Sequence, residues 1–141
     1  MGFYDSIEVS ASGLTADRLN MDVIANNIAN ANTTRTPQGG AFKRQLLIMA
    51  QKAAAPGDDG ANGNTNGVEV QGIVSDQSPD RLVYNPSHPD ADAQGYVHMP
   101  NVEVVKEMVD MIAASQAYQA NVTAIQEARA LSSQSMNILQ G

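Results

Sequence analysis

Apolar residues in the last third of the chain follow a helical spacing. From Val104 to Leu139 they recur in alternating steps of three and four residues, and no Pro or Gly interrupts the run. This spacing is typical of a helix that keeps one apolar seam against a partner helix, as in a coiled coil. We predict a helix over residues 102–139, with Asn101 as its N-cap and Glu103 in its first turn. The seam positions are Val104, Met108, Met111, Ser115, Tyr118, Val122, Ile125, Arg129, Ser132, Met136 and Leu139.

A second apolar stripe predicts another helix near the N-terminus, over residues 5–31. The stripe repeats every seven residues, and Ile24 with its neighbours Leu19 and Val23 widens it. Pro37 ends the element after a run that is rich in Asn and Thr. The stripe positions are Ile7, Ala11, Leu14, Arg18, Met21, Ala25 and Ile28.

The two stripes indicate a helix pair that a single chain covers only in part. At 1.5 Å per residue, the C-terminal helix would be about 55 Å long. That is too long for so small a chain to bury with its own core, and the first helix is shorter. We therefore expect an antiparallel, coiled-coil-like pair in which part of the second helix packs against other molecules.

The middle of the chain predicts short strands separated by loops. Gly, Asn, Asp and Thr make residues 53–67 a long mobile loop, and residues 76–80 suit a hairpin connection between two strands. Prolines mark residues 85–100 as an extended strap. The predicted strands are residues 42–49, 67–75 and 81–84.

These elements predict a mainly α fold with a small β insert. Residues 1–36 and 101–141 form one discontinuous axial domain of helices. Residues 37–100 form the β-rich insert, which includes the mobile loop and the Pro-rich strap.

Composition narrows the range of functions. The net charge is −7 without a basic patch, which argues against binding to nucleic acid or to an anionic membrane surface. Trp is absent and only two Phe and four Tyr are present, so the large anchors of an ordinary core are scarce. Asn and Gln together number 23, and such amides bond between packed subunits without the cost of burying charge. The chain has no Cys, no apolar run long enough to span a bilayer and no secretory signal pattern.

One loop has a partial resemblance to a calcium-binding loop. Asp58, Asn62, Gly63 and Glu69 fall at positions 1, 5, 6 and 12 of an EF-hand frame. Gly60 stands where an acid or amide is expected, and no helix flanks the loop. A Gly- and Asn-rich loop without a ligand explains the same residues better.

A second cluster, His88, Asp90, Asp92 and His98, has ligand types that suit zinc or manganese. No predicted element places the four side chains on one face, and the Asp residues are common in turns. We favour a stiff strap that docks on a neighbouring molecule over a site for metal-assisted hydrolysis. Nucleophile motifs and phosphate-binding loops are missing as well, so we expect no enzymatic activity and no cofactor.

Two terminal runs resemble the bacterial flagellar rod, hook and filament-axis family. Residues 23–34 carry an Asn-Ile-Ala-Asn core followed by Thr, and residues 101–121 carry an Asn-Val start and an Ala-Tyr-x-x-Asn step. Residues 32–40 and 84–97 are similar to one member of the family, a protein of the proximal rod. The signature positions are Asn27, Ile28, Asn30, Thr33, His88, Pro89, Asp90, Gly95, Tyr96, Asn101, Val102, Glu107, Ala117, Tyr118 and Asn121.

The resemblance implies a structural subunit of a hollow drive shaft, in which the terminal helices line a channel and contact other subunits. It implies passage through the flagellar export apparatus without a cleaved signal peptide, and assembly in the periplasm within the basal body. The implied partners are other rod proteins, the adaptor between the rod and the MS ring, and further copies of the chain.

An export chaperone or adaptor with a two-helix hairpin is the alternative. It would be acidic and helical at both ends, as this chain is. The β insert and the strap speak against it, because plain helical bundles are typical of such chaperones. A chaperone would be a folded monomer or dimer in dilute solution, whereas a rod subunit would stay partly unfolded until it polymerises.

Overall fold

The computed structural model describes the backbone of residues 3–52 and 67–139 and the side chains of residues 6–52 and 67–135. Within these residues two long helices flank a small β insert, which confirms the predicted mainly α fold. The predicted mobile loop 53–67 lies outside the described residues, apart from Gly67. The elements are α1 (Phe3–Ala29), β1 (Gln45–Gln51), β2 (Val68–Ser75), β3 (Arg81–Tyr84), β4 (Tyr96–Met99) and α2 (Val104–Leu139).

The two helices pack side by side and run in opposite directions. Asn27, near the end of α1, contacts Glu107 near the start of α2. Asp17, earlier in α1, contacts Asn121, later in α2. Gly13 lies against Asn121, where an added Cβ would come within 2.9 Å of the amide Nδ2. Glycine therefore permits the close approach of the helices at this level.

The face of α2 that turns toward α1 follows the middle of the predicted seam. Ala114 is buried, and most seam residues around it are half-buried. The half-buried seam residues are Met111, Ser115, Tyr118, Val122, Ile125 and Ser132. Val104 and Met108, at the start of the seam, are exposed instead, and so is Arg129. Met136 and Leu139 lie beyond the described side chains.

The covered face of α1 differs from the predicted seven-residue stripe. Ala11, Arg18 and Ala25 are exposed, so the stripe is wrong at these alternate positions. The positions Ile7, Leu14, Met21 and Ile28 are half-buried, and the buried residues are Ala16, Val23, Ile24 and Asn27. The reason is that α1 has two neighbours, α2 and the hairpin of β1 and β2. A seven-residue seam presupposes a single partner helix.

Small side chains make up most of the core. The buried apolar residues are Ala16, Val23, Ile24, Ala31, Ala41, Val97, Val102 and Ala114. Four of these eight are Ala, which contributes little apolar area on burial. The described part of the chain therefore rests on a thin core, as the shortage of aromatic residues predicts.

The strands form two separate antiparallel pairs. β1 pairs with β2, Gln45 opposite Ser75, with an irregularity between Ile48 and Met49. The prediction that residues 76–80 close a hairpin is wrong, because they connect β2 to a strand of the other sheet.

β3 pairs with β4, with Tyr84 opposite Tyr96. The prediction of an extended strap over residues 85–100 is wrong over residues 86–95, where the chain makes turns, and it misses that residues 96–99 pair with β3 as β4. Between the two strands the chain makes turns, and Gly95 adopts a positive φ of 85°. A Cβ at Gly95 would come within 3.0 Å of the Tyr84 ring, so this turn requires glycine for two reasons.

The hairpin of β1 and β2 lies along α1. At one end, Gln45 contacts Asn27 through its backbone. At the other end, the Ser12 hydroxyl accepts a hydrogen bond from the Val68 N–H at 3.0 Å and donates one to the Val9 carbonyl at 2.7 Å. The two anchors are fifteen residues apart on α1, which fixes the direction of the hairpin along the helix.

We expect Gly67→Ala to weaken the Ser12 anchor. An added Cβ would lie 2.3 Å from the Ser12 Oγ, so the hydroxyl would rotate away and lose its bond to Val68. The free energy of unfolding should fall by about 1 kcal/mol, the typical net value of one hydrogen bond, as urea denaturation can measure. Gly72→Ala is the matched control in the same hairpin, since nothing lies within 4 Å of its added Cβ. Equal effects of the two substitutions would contradict this role of Gly67.

Candidate assembly surface and the polar node beside it

A cluster of polar side chains joins the two helices to the β insert. We call it the polar node, and it consists of Asn27, Arg44, Asn101, Glu107 and Asp110. These residues come from α1, from the segment before β1, from the segment before α2 and from the first turns of α2. Glu107 is 0% exposed and Asn27 is 1% exposed. A buried carboxylate and amide require partners, and the node supplies them.

The Asn27 side chain pairs with the backbone at the start of β1. Its Oδ1 accepts the N–H of Gln45 at 2.8 Å, and its Nδ2 donates to the carbonyl of Gln45 at 2.9 Å. The amide therefore stands where a neighbouring strand's peptide group would stand. The same Nδ2 donates to Glu107 Oε2 at 2.9 Å. One side chain of α1 thus holds both a strand and α2.

Arg44 holds two carboxylates on α2. Its Nε donates to Glu107 Oε1, and its Nη2 donates to Asp110 Oδ2 at 3.2 Å. Glu107 and Asp110 are three residues apart, so they project from the same face of the helix. The planar fork of a guanidinium suits two acceptors at fixed positions better than an ammonium does.

Asn101 bonds to the insert and does not cap α2, so the N-cap prediction is wrong. Its Oδ1 accepts the backbone N–H of Arg44 at 2.7 Å, and its Nδ2 donates to the carbonyl of Asp76 at 3.1 Å. α2 begins at Val104. At that end the carbonyl of Glu103 accepts the N–H of Glu107 at 3.0 Å, which gives Glu103 the position before the helix instead of one in its first turn.

The turn beside Asn101 carries a perturbed carboxylate. The pKa of Asp76 is lowered because its Oδ1 accepts hydrogen bonds from the Ser78 hydroxyl and the Ser78 backbone N–H. The folded state therefore favours the charged form. Its contribution to stability is present above the ordinary pKa of 3.8 and is lost as the pH falls through the lower folded pKa.

The structure brings several signature residues together and leaves others in separate places. Asn27, Asn101 and Glu107 meet in the polar node, and Val102 is buried beside it. Asn121 donates to Asp17 Oδ2 at 2.9 Å, further along the helix pair. The Asn30 Oδ1 accepts a hydrogen bond from the Thr33 hydroxyl at 3.2 Å just after α1. Ile28 and Tyr118 are half-buried and Ala117 is exposed.

The strap residues use their polar groups to shape turns. His88 Nδ1 accepts the N–H of Asp90 at 3.1 Å, and Asp92 Oδ1 accepts the N–H of Tyr96 at 2.8 Å. Asp90 Oδ2 also accepts the Thr34 hydroxyl at 2.8 Å, which ties the strap to the segment after α1. Pro89 is exposed within the same turns.

The candidate metal ligands of the sequence analysis are therefore engaged in other contacts. His98 lies beside Asp80, with its Nδ1 3.5 Å from Asp80 Oδ2. Among the residues that the structure describes, no three His, Cys, Asp or Glu side chains form a metal-binding group. Asp58 and Asn62 of the calcium frame lie outside those residues.

An apolar surface extends along the first turns of α2. We call it the α2 stripe, and it consists of Val104, Val105, Met108, Val109 and Ile112. Their exposed fractions run from 40% for Val104 to 70% for Val105. The stripe lies on the helix face opposite Glu107 and Ala114, which are buried. Contiguous exposed apolar residues of this kind mark interaction surfaces.

Both terminal regions match models of flagellar rod families. Residues 7–35 match the family described as flagella basal body rod protein, and residues 93–138 match the family described as flagellar basal body rod FlgEFG protein C-terminal. The chain is 47% identical to the flagellar basal-body rod protein FlgC of Borreliella burgdorferi, over the whole of both chains. It is 38% identical to FlgC of Bacillus subtilis, over 98% of this chain and 99% of that one. The chain belongs to the FlgC family of flagellar basal-body rod proteins.

Membership of the FlgC family confirms the resemblance of the two terminal runs. FlgC of Escherichia coli O157:H7 is also similar, at 40% identity over 93% of each chain. The family consists of structural rod proteins and not of enzymes, so the hypothesis of a metal-dependent hydrolase falls away. So does the export-chaperone alternative. Within the described residues, neither helix combines the length and apolar character needed to cross a membrane.

Arg44 is not among the residues predicted from the sequence, although it contacts three other members of the node, Asn101, Glu107 and Asp110. The available signal is a basic pair, Lys43-Arg44, directly before a strand in a chain of net charge −7. That pattern does not indicate the partners: Lys43 contacts Asp80 at 2.8 Å, and Arg44 contacts Glu107. The two partners come from segments far apart in sequence.

Proposed function

We propose that this chain builds the proximal part of the flagellar rod, a hollow shaft, through contacts of its two terminal helices with further copies and with other rod proteins. The observation that carries the proposal is the α2 stripe. A member of a rod family exposes five apolar residues on one face of its longest helix. Burial of such residues is favourable at about 25 cal/mol per Å², and packing of subunits supplies it.

The helix pair supports the proposal in a second way. On the covered faces of α1 and α2, the larger side chains, such as Met, Tyr and Val, are mostly half-buried, and the rest are largely Ala, Asn and Asp. One chain by itself therefore leaves much of both helices in contact with water. We infer that residues 1–36 and 101–141 form the axial domain and that 37–100 form an outer insert. In the rod the helices pack as a coiled-coil-like layer, and the other residues that we expect in its contacts are Ile7, Leu14, Met21, Ile24, Ile28, Met111, Tyr118, Val122, Ile125, Met136 and Leu139.

The same proposal covers location and route. The chain reaches the rod in the periplasmic part of the basal body by way of the flagellar export apparatus, without a cleaved signal peptide. There it contacts other rod proteins and the adaptor at the MS ring. The thin core supports this route, since a marginal fold is easily unfolded for transit.

We expect Val122→Asp to abolish incorporation into rods while expression is retained. Val122 is half-buried on the face of α2 toward α1, and a carboxylate there would have to be desolvated as the helices pack. Swimming on soft agar and immunoblots of purified basal bodies test the result. Thr123→Asp is the control, because Thr123 is the exposed next residue. Normal motility of the Val122→Asp strain would count against the proposal.

A further inference from the structure

Arg44 forms a largely buried ion pair with Glu107, and stability alone does not explain this pair. The Arg44 side chain is only 15% exposed, and it contacts Glu107, which has no exposed surface. Taking an ion pair out of water costs several kcal/mol per ion, and well-packed apolar residues at such positions are often as stable. The geometry of the contacts points to another use of the pair.

The contacts of the hairpin with the two helices are unequal. β1 and β2 both pack along α1, and within the described residues no Cα of either strand lies within 8 Å of a Cα of α2. The Ser12 anchor at the far end of the hairpin belongs to α1 as well. At the near end, the Arg44 guanidinium reaches across to Glu107 and Asp110 on α2. Arg44 therefore links α2 directly to the segment that leads into the hairpin, whereas Asn27 joins the two from α1.

The backbone of Arg44 is held by the same part of the chain. Its N–H donates to Asn101, three residues before α2, and its carbonyl accepts the N–H of Asp76 just after β2 at 2.7 Å. β1 begins directly after Arg44, and β2 ends directly before Asp76. Asn101 bonds to the backbone of both residues, and Arg44 also bonds to α2.

We propose that Arg44 is a positioning residue that orients the β1–β2 hairpin on the helix pair, so that the hairpin takes its final place only when α2 has docked on α1. Before α2 docks, Asn27 and Ser12 hold the hairpin on α1 by one side. Docking brings Glu107 to Asn27 and to Arg44 at once, and closes the node. The guanidinium fork, spread over two carboxylates one turn apart, then fixes the angle between strand and helix.

The positioning of the hairpin by Arg44 does not require assembly, but its purpose rests on the proposed function. In a rod, the same docking would set the position of the outer insert relative to the helical layer. The node lies where the end of α1 meets the start of α2, away from both chain termini, so a single chain can close it without a neighbouring subunit. The orientation can therefore be measured without rods.

Amide hydrogen exchange of the isolated full-length protein tests the proposal. We expect Arg44→Met combined with Glu107→Gln, a pair that leaves no buried charge without a partner, to raise the exchange of amides in β1 and β2 by about tenfold or more, as a local opening does, with the amides of α1, α2 and the β3–β4 pair unchanged. Lys52→Met is the matched control, since Lys52 is a cation at the other end of β1 with an exposed partner, Glu8, at 3.7 Å. It should leave all exchange rates unchanged. Arg44→Lys keeps the charge but lacks the fork, and should give an intermediate increase.

Two outcomes overturn the proposal. If exchange rises equally in all elements, Arg44 contributes only to global stability. If exchange in the hairpin does not change, α2 does not act on it through Arg44. If that double variant does not fold, Asp110→Ala is measured instead; it removes one of the two carboxylates that hold the fork and should raise exchange in the same two strands by a smaller factor. A chain that shows the expected exchange but is absent from basal bodies would contradict the proposed function and leave the positioning role standing.

Discussion

Chains that carry Ile112→Asp should fold as the parent chain does and fail to enter the rod. Ile112 is 58% exposed at the end of the α2 stripe, so the isolated chain loses little when it becomes polar. Substitutions at such surface positions usually change the free energy of unfolding by less than about 0.5 kcal/mol. Burying the new carboxylate against a neighbouring subunit, in contrast, would cost several kcal/mol at every copy. Motility should be lost, and circular dichroism and the urea midpoint should match the parent chain.

Met108→Asp, in the middle of the stripe, should give the same result. Gln116→Asp is the matched control, because Gln116 is an exposed polar residue one turn beyond Ile112 on the same helix. It introduces the same charge and a similar loss of helix propensity. If the stripe variants swim as well as the control, the stripe is not part of the assembly surface.

Asn27→Asp should destabilise the chain by about 3–5 kcal/mol, the usual result of an uncompensated buried charge. The new carboxylate oxygen would replace the Nδ2 that donates to both Gln45 and Glu107. Two acceptors would then face it at hydrogen-bond distance. Since small proteins are stable by only about 5–15 kcal/mol in all, a large part of the population should unfold in urea at low concentration.

A second substitution makes this prediction specific to the node. In Asn27→Asp combined with Glu107→Gln, the amide introduced on α2 can donate to the new carboxylate on α1, and one of the two lost bonds is restored. The double variant should therefore be more stable than the single Asn27→Asp variant, with the coupling measured as a double-mutant cycle. Additive effects would show that Asn27 and Glu107 do not depend on each other.

The sequence predicts the helices and their approximate ends because long apolar periodicity and the absence of Pro are local signals. It also predicts β1, β2 and β3 closely. It fails at β4, where Tyr96–Met99 is only four residues long and follows a Pro-rich run. The strand exists because Val97, at 1% exposure, packs inward opposite Val83, and that partner is visible only in the fold.

The contacts of the polar node were also not predictable from local sequence patterns. Asn27, Asn101 and Glu107 are signature positions, yet the last two contact Arg44, which is not one. Asn101 resembles an N-cap by its place before a helix. Its amide instead satisfies the backbone of Arg44 and Asp76. Local sequence patterns predict that a polar residue bonds to the nearest helix or strand. Asn101 instead bonds to a segment that is distant in sequence, which only the tertiary structure shows.

The labelling rate of a single cysteine at Val109 tests the central claim most directly. The chain has no Cys of its own, and Val109 is 60% exposed in the middle of the α2 stripe. In the isolated chain carrying Val109→Cys, a maleimide should react nearly as fast as with the unfolded chain. In purified basal bodies that contain this chain, the reaction should slow by roughly a hundredfold or more, since thiol reactivity depends on access. Equal rates in the two states would contradict the claim that assembly buries the stripe.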